Sequence, residues 1–184
     1  MKYKLVYVIL GVQLALQISA QVISLDLSGW NVAAPPSAVC NDEGTTWPES
    51  DGKKPSIRFR HPDFASSRIE KEIPVEPNTD YRIVSLLKLN CPYLEARGYA
   101  GLTLTVKGED DTILGGIPPQ TMESDWKEAV LYFSSGKNRK VFLVWSISDA
   151  KGEARIGKMT LEKITDPALI GDVTPKDSGI IEPA

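Results

Sequence analysis

Histidine and cysteine are nearly missing from this chain of 184 residues, which holds one histidine, His61, and two cysteines, Cys40 and Cys91. A structural zinc site needs four such ligands, so that chemistry is excluded. Nucleophilic catalysis through an imidazole base has one residue to draw on, in Arg60-His61-Pro62, and no Gly-x-Ser-x-Gly elbow accompanies it. A lone histidine beside proline at a strand end is expected at the surface or in a turn. Phosphate-binding glycine loops of either common spacing are absent. The 21 basic residues are scattered among 24 acids, for a net charge of −3, so no basic patch argues for nucleic acid. No stretch beyond the N-terminus sustains the apolar stripe of an amphipathic helix, and none has the roughly 20 apolar residues of a membrane span.

The N-terminus does carry a signal. Lys2 and Lys4 precede an apolar run, Leu5 to Leu16, broken only by Gln13, and the small, polar segment Gln17-Ile-Ser-Ala20 follows. This is the three-part pattern of a secretory signal peptide over residues 1–20, with Ala20 the last residue removed. The run is too short for a membrane anchor. No cysteine follows it, so a lipoprotein anchor is not supported. Cleavage takes away Lys2 and Lys4 and moves the net charge from −3 to −5, suited to a soluble exported protein. In an oxidising compartment Cys40 and Cys91 read as a disulfide. Closing that loop of about 50 residues would contribute roughly 4 kcal/mol. Two independent buried thiols are the alternative.

From residue 21 the period is two. Ile23-Ser-Leu25-Asp-Leu27 alternates, as do Ile57 and Phe59 against Arg58 and Arg60, and Ile69, Ile73 and Val75 against Arg68, Glu70 and Glu72. The runs Tyr81–Leu89, Gly101–Val106, Ala129–Phe133, Val141–Ile147 and Ala154–Ile164 complete a set rich in β-branched and aromatic side chains. Turn clusters separate them at 77–80, 108–111, Gly115-Gly116, 135–138 and 149–152. The apolar phase slips by one at Gly157, which predicts a bulge. The expected fold is all-β, an antiparallel β-sandwich or jelly roll of about eight strands over residues 21–164. Residues 165–184, proline-bearing and aperiodic, are expected to be a flexible tail.

Two irregular segments, Asn31–Lys54 and Asn90–Ala100, are long for connections in a compact domain, and such loops are often functional. They contain Trp47, Tyr93 and Tyr99. Flat rings recognise sugars by stacking on their C–H faces, so these three are the expected ligand-facing aromatics, with Glu95 and Arg97 as polar partners for hydroxyls. Trp145 and Tyr81 fall on apolar faces and are expected in the core, and Trp126 at a strand entry is expected to pack. The acids Glu109, Asp110 and Asp111 read as a solvated hairpin turn, and Glu70 and Glu72 as a solvated face shared with Arg68. Asp42-Glu43 and Asp110-Asp111 have the chemistry of calcium ligands but match no calcium-binding motif.

The segments Val75-Glu-Pro-Asn-Thr-Asp-Tyr81-Arg-Ile, Leu87-Lys88, Gly101-Leu-x-Leu-x-Val106, Asp125-Trp126-Lys-Glu-Ala-Val130-x-x-Phe133 and Ile156-Gly-Lys-Met-Thr-Leu161 resemble a known pattern. It belongs to the galactose-binding-like jelly-roll modules, in particular the cellulose- and xylan-binding carbohydrate modules attached to bacterial glycoside hydrolases. The match covers about residues 57 to 164, chiefly fold-holding positions. The resemblance implies a polysaccharide or glycan as partner, bound on a concave sheet face or at loop tips, and no catalysis. Where such modules carry an acidic pair in the last strand, often serving a structural calcium, this chain has Gly157-Lys158, so no cofactor is expected. The alternative is a structural or protein-interaction module of an exported or cell-surface assembly, with an exported protein as partner. A small enzyme such as a polysaccharide lyase has the least support.

Overall fold

Alternating β-formers become ladders in the computed structural model of the protein, which describes residues 22–33, 38–39, 45–46, 53–94, 101–120 and 123–165. The described residues form the strands β1 (Val22–Ser24), β2 (Asn31–Ala33), β3 (Ala38–Val39), β4 (Thr45–Thr46), β5 (Lys53–Lys54) and β6 (Ile57–Pro74). There follow β7 (Asp80–Leu94), β8 (Gly101–Lys107), β9 (Ile113–Gln120), β10 (Ser124–Ser134) and β11 (Lys140–Lys163), with no helix among them. All pairings are antiparallel.

Strands β6 and β11 are long enough to serve two sheets each. In the first sheet the C-terminal half of β6 lies against the N-terminal half of β11, Ile69 opposite Trp145. There β2 flanks β6, and β8 and then β9 continue beyond β11. In the second sheet the N-terminal half of β6 meets the C-terminal half of β11, Phe59 opposite Ala154. There β3 flanks β6, β7 and β10 continue beyond β11, and β1 pairs with the end of β11. The inner residues of both sheets, such as Leu143, Trp145, Ile83 and Ile156, are fully buried in one core. The result is an all-β jelly-roll sandwich.

Asp149–Gly152 is not the turn its composition predicts. It bends β11 within the ladder, where the register against β6 shifts between Ile147 and Ala150 and again before Gly152. Asp149 and Gly152 take φ of 44° and 128° there. Strands pair on both sides of this stretch, so its backbone groups stay satisfied only if the chain bends without leaving the ladder. β6 bends at the same level, and His61 lies there, 2% exposed rather than at the surface. Its Nδ1 is 3.1 Å from the Ala150 carbonyl oxygen and its Nε2 2.8 Å from Ser67 Oγ. A carbonyl only accepts, so Nδ1 donates to it, and Nε2 bonds to the serine hydroxyl. The imidazole ties the bends of the two long strands together.

The slip at Gly157 is a bulge: the register against β7 shifts between Ile156 and Met159, and both side chains stay buried. Gly115-Gly116, expected as a turn, lies inside β9. A Cβ on Gly115 would stand 3.0 Å from the Tyr132 carbonyl oxygen and 3.2 Å from Phe133 Cβ, so glycine lets the edge of the first sheet close on β10 of the second. Pro118 and Pro119 fit because β9 pairs only with β8 among the described strands. At one end of the sandwich the turns bind each other. Ser135 Oγ donates to the Glu76 carbonyl and accepts from Thr79 N, and Glu109 accepts from the backbone amide of Arg139.

Candidate functional site

The expected loop rim is met only in part. Trp47, Glu95, Arg97, Tyr99 and Cys40 lie outside the described residues. Cys91 and Tyr93 belong to β7, so that part of the segment expected to be irregular is strand, and the backbone of Tyr93 is paired opposite Lys151. The segment Asn31–Lys54 likewise contains β2 to β5. Long strands at a sandwich edge recruit short partners even from sequence without alternation, because their edge amides and carbonyls need pairing.

The described residues bring together a different group, on the outer face of the second sheet. In β7 the inward residues are Tyr81, Ile83, Ser85, Leu87 and Leu89, which turns Arg82, Val84, Leu86, Lys88 and Asn90 outward. In β10 Ala129, Leu131 and Phe133 face in and Glu128, Val130 and Tyr132 face out, while Trp126, half-buried, lies where the register against β7 shifts. Register then aligns rows across strands. Tyr132, Arg82 and Glu162 form one, Val130, Val84 and Thr160 the next, and Lys88, Arg155 and Arg58 another nearer the bend.

The first row is built by polar contacts. Arg82 Nε donates to Glu162 Oε2 at 2.7 Å, and the two side chains are 39% and 21% exposed. The guanidinium is held above its ordinary value by the bond to Glu162 first and, against the cost of desolvation, by bonding to the Tyr132 hydroxyl. Tyr132 stands opposite Arg82, half-buried, with the exposed Val130 two residues before it on the same face. A ring at this position offers an apolar surface, while the arginine and glutamate beside it offer donors and acceptors for hydroxyls. In the row nearer the bend, Lys88 Nζ donates to Asp125 Oδ1 at 3.0 Å, and Arg155 Nε to Glu153 Oε1 at 2.6 Å. The Asp125 carboxyl sits below its ordinary value, through the Lys88 bond first and then the Trp126 amide.

Other aromatics hold the fold. Trp145 is fully buried, Tyr81 stacks on Phe133 with ring centroids 5.4 Å apart, and Trp30 lies in the core with Lys71 Nζ 5.9 Å from its ring. A notch of about 260 Å³ lined by Ile23, Pro74, Val75, Glu76, Tyr81, Leu161 and Lys163 opens beside β1, and the Lys163–Glu76 ion pair crosses it. No cluster of three metal-ligating side chains occurs among the described residues. Asp110 and Asp111 are exposed in the β8–β9 turn, where the Asp110 carboxylate accepts from Thr112 N and Asp111 pairs with Lys107. Asp42 and Glu43 lie outside the described residues.

Tyr132, Arg82 and Glu162 were not among the expected site residues. Each sits at a polar position of an alternating run, which marks it as outward but does not place it beside the others. Arg82 and Glu162 are 80 residues apart and meet only through the register of β7 and β11.

Two long bent strands shared between antiparallel sheets define the chain as a β-sandwich with the jelly-roll fold of carbohydrate-binding modules. Among solved structures it is similar to TmCBM61 in complex with β-1,4-galactotriose, at 13% identity and a TM-score of 0.56, over 76% of this chain and 91% of that one. It is also similar to the CBM22-1 xylan-binding domain from Paenibacillus barcinonensis Xyn10C, at 14% identity and a TM-score of 0.51, over 79% and 94%. The arabinose-bound MgGH51 α-L-arabinofuranosidase matches at 14% identity and a TM-score of 0.52, over 74% of this chain but only 23% of that enzyme. No family model matches the sequence, and no curated protein matches it.

Proposed function

We propose that the chain is an exported, non-catalytic module that binds a polysaccharide on the outer face of its second sheet. The observation that carries this reading is the row Tyr132–Arg82–Glu162, an aromatic ring beside a hydrogen-bonded charge pair on a sheet surface. The fold supports it, because the binding modules it resembles are matched over nearly their whole length and the arabinofuranosidase over less than a quarter. The signal-peptide pattern of residues 1–20 supports export.

The test is affinity electrophoresis of the secreted chain in gels containing soluble galactan, xylan or mixed-linkage glucan. Retardation by at least one is expected, and Tyr132→Ala should reduce it about tenfold, the loss of one stacking contact, while leaving the melting temperature within a few degrees. Trp47→Ala and Tyr99→Ala probe the loop rim in the same gels. Loss in those variants with Tyr132→Ala unaffected would move the site to the loops. Co-purification with an exported protein and no retardation by any glycan would instead favour the interaction-module reading.

A further inference from the structure

The edge of the core beside β1 is left open. Ile23 pairs with Leu161, and Leu161 is buried in the core, so register turns both side chains inward. Yet Ile23 is 44% exposed, so the described residues leave it uncovered. It forms one wall of the notch of about 260 Å³, with Pro74, Val75, Tyr81 and Leu161. The polar groups there are already matched: Lys163 is paired with Glu76, and the Tyr81 hydroxyl accepts from the Glu76 amide. With its charges satisfied and aliphatic side chains in its walls, the notch calls for an apolar occupant rather than an ionic one.

Two stretches of the chain lead away from this place. β1 starts at Val22, and β11 ends at Lys163, itself a wall of the notch, after which the Ile164 amide donates to the Asp80 carbonyl. With residues 1–20 removed, the cleavage proposed above and on which this step rests, only Gln21 precedes β1, too little to fill the notch. The C-terminal side has the length. Asp166-Pro167, a dipeptide that favours a turn, is followed by Ala168-Leu169-Ile170, the first apolar cluster after β11. Leu169 is five residues past Ile164, a reach of up to about 17 Å, ample for a return to a wall that Lys163 forms. We propose that Leu169 and Ile170, which lie outside the described residues, fold back into the notch and cap the core beside β1. The short tether makes the docking intramolecular, so a contact of two aliphatic side chains suffices to hold it. A tail expected from its composition to be flexible is thereby held at its root, and the three-residue strand β1 is secured by the cap as well as by its ladder to β11.

The test uses the full secreted chain, and its intact mass is read first. A mass that retains residues 1–20 defeats the cleavage and with it the choice of occupant, whereas the remaining outcomes bear on the docking alone. In methyl-labelled protein, nuclear Overhauser contacts are expected from Leu169 or Ile170 to Ile23, Val75 or Leu161. Leu169→Ser/Ile170→Ser should lower the melting temperature by about 3–6 °C, and Ile180→Ser/Ile181→Ser should leave it unchanged. Ile23→Ser attacks the notch instead of the tail. It should narrow the Leu169 and Ile170 methyl signals to those of a free segment, while contacts between β6 and β11 persist and show the sandwich intact. No contact from Leu169 or Ile170 to the notch in the parent, or a melting temperature equal to the parent's in Leu169→Ser/Ile170→Ser, overturns the proposal. Contacts from Ile180 or Ile181 in their place overturn the choice of segment. Contacts that appear only as protein concentration rises, together with faster sedimentation, give the notch to a second copy and overturn it as well.

Discussion

At the scale of single residues, the buried side chains do one of two things: fill the core or satisfy a bend. Trp145 is the largest fully buried side chain, so Trp145→Ala is expected to cost about 3–5 kcal/mol, seen as a lower urea midpoint. A midpoint unchanged within error would mean that the core closes around the loss. His61 links the β11 bend to Ser67 in a buried setting, so His61→Ala should cost about 1–3 kcal/mol by leaving the Ala150 carbonyl and Ser67 hydroxyl without that partner. The exposed carboxyls behave differently. Asp26, Asp110 and Asp125 are each held below the ordinary value of 3.8, by bonds to Ser28, Thr112 and Lys88 respectively. A carboxyl depressed in the folded state contributes stability above its ordinary value, and that contribution vanishes as pH falls through the lower folded value. The melting temperature should therefore be flat from about pH 7 to about pH 5 and fall below about pH 4. Asp110→Asn should remove a small part of that fall, and a variant with the same acid limb as the parent would refute the assignment.

At the scale of elements, close approach decides where the sheets meet. β9 carries the unpromising sequence Ile-Leu-Gly-Gly-Ile-Pro-Pro-Gln and is a strand because it completes the edge of β8 and presses on β10. Gly115→Val should therefore destabilise by about 1–3 kcal/mol, since the new side chain meets the Tyr132 backbone, which cannot step aside as a flexible side chain would. Gly136→Ala offers a contrast, because its only neighbour within reach is the Asn138 side-chain amide at 4.0 Å; its φ of +54° carries the cost there instead. Thermal melts separate crowding from backbone strain: Gly136→Asn should recover much of the loss in Gly136→Ala, because asparagine tolerates a positive φ, whereas Gly115→Asn should melt no higher than Gly115→Ala. The mutual bonding of the 75–79 and 135–139 turns gives one end of the sandwich a rigid frame, and the proposed binding rows lie on the sheet rather than on those turns.

At the scale of the whole molecule, β6 and β11 each run through both sheets, so neither sheet can unfold alone without breaking strands of the other. Urea unfolding should be a single transition, with tryptophan fluorescence and far-UV circular dichroism coincident. Separate midpoints would mean that the bends at Ala65 and Ala150 divide the molecule into independent halves.

The alternation of residues 57–89 and 129–161 was enough by itself to give an all-β sandwich, the inward identity of Trp145 and Tyr81, the solvated 108–111 turn and the bulge at Gly157, because side-chain period and backbone geometry are coupled locally. Sequence also placed Arg82, Tyr132 and Glu162 on polar positions, yet nothing local said that they meet. The tertiary structure alone decided that Asp149–Gly152 is a bend within one strand and that Gly115-Gly116 is part of another. It alone buried His61 and aligned Tyr132, Arg82 and Glu162 in one row and Lys88, Arg155 and Arg58 in another. The reason is that these outcomes depend on strand register between segments far apart in the chain, and register is set by the fit of the whole core rather than by any one segment.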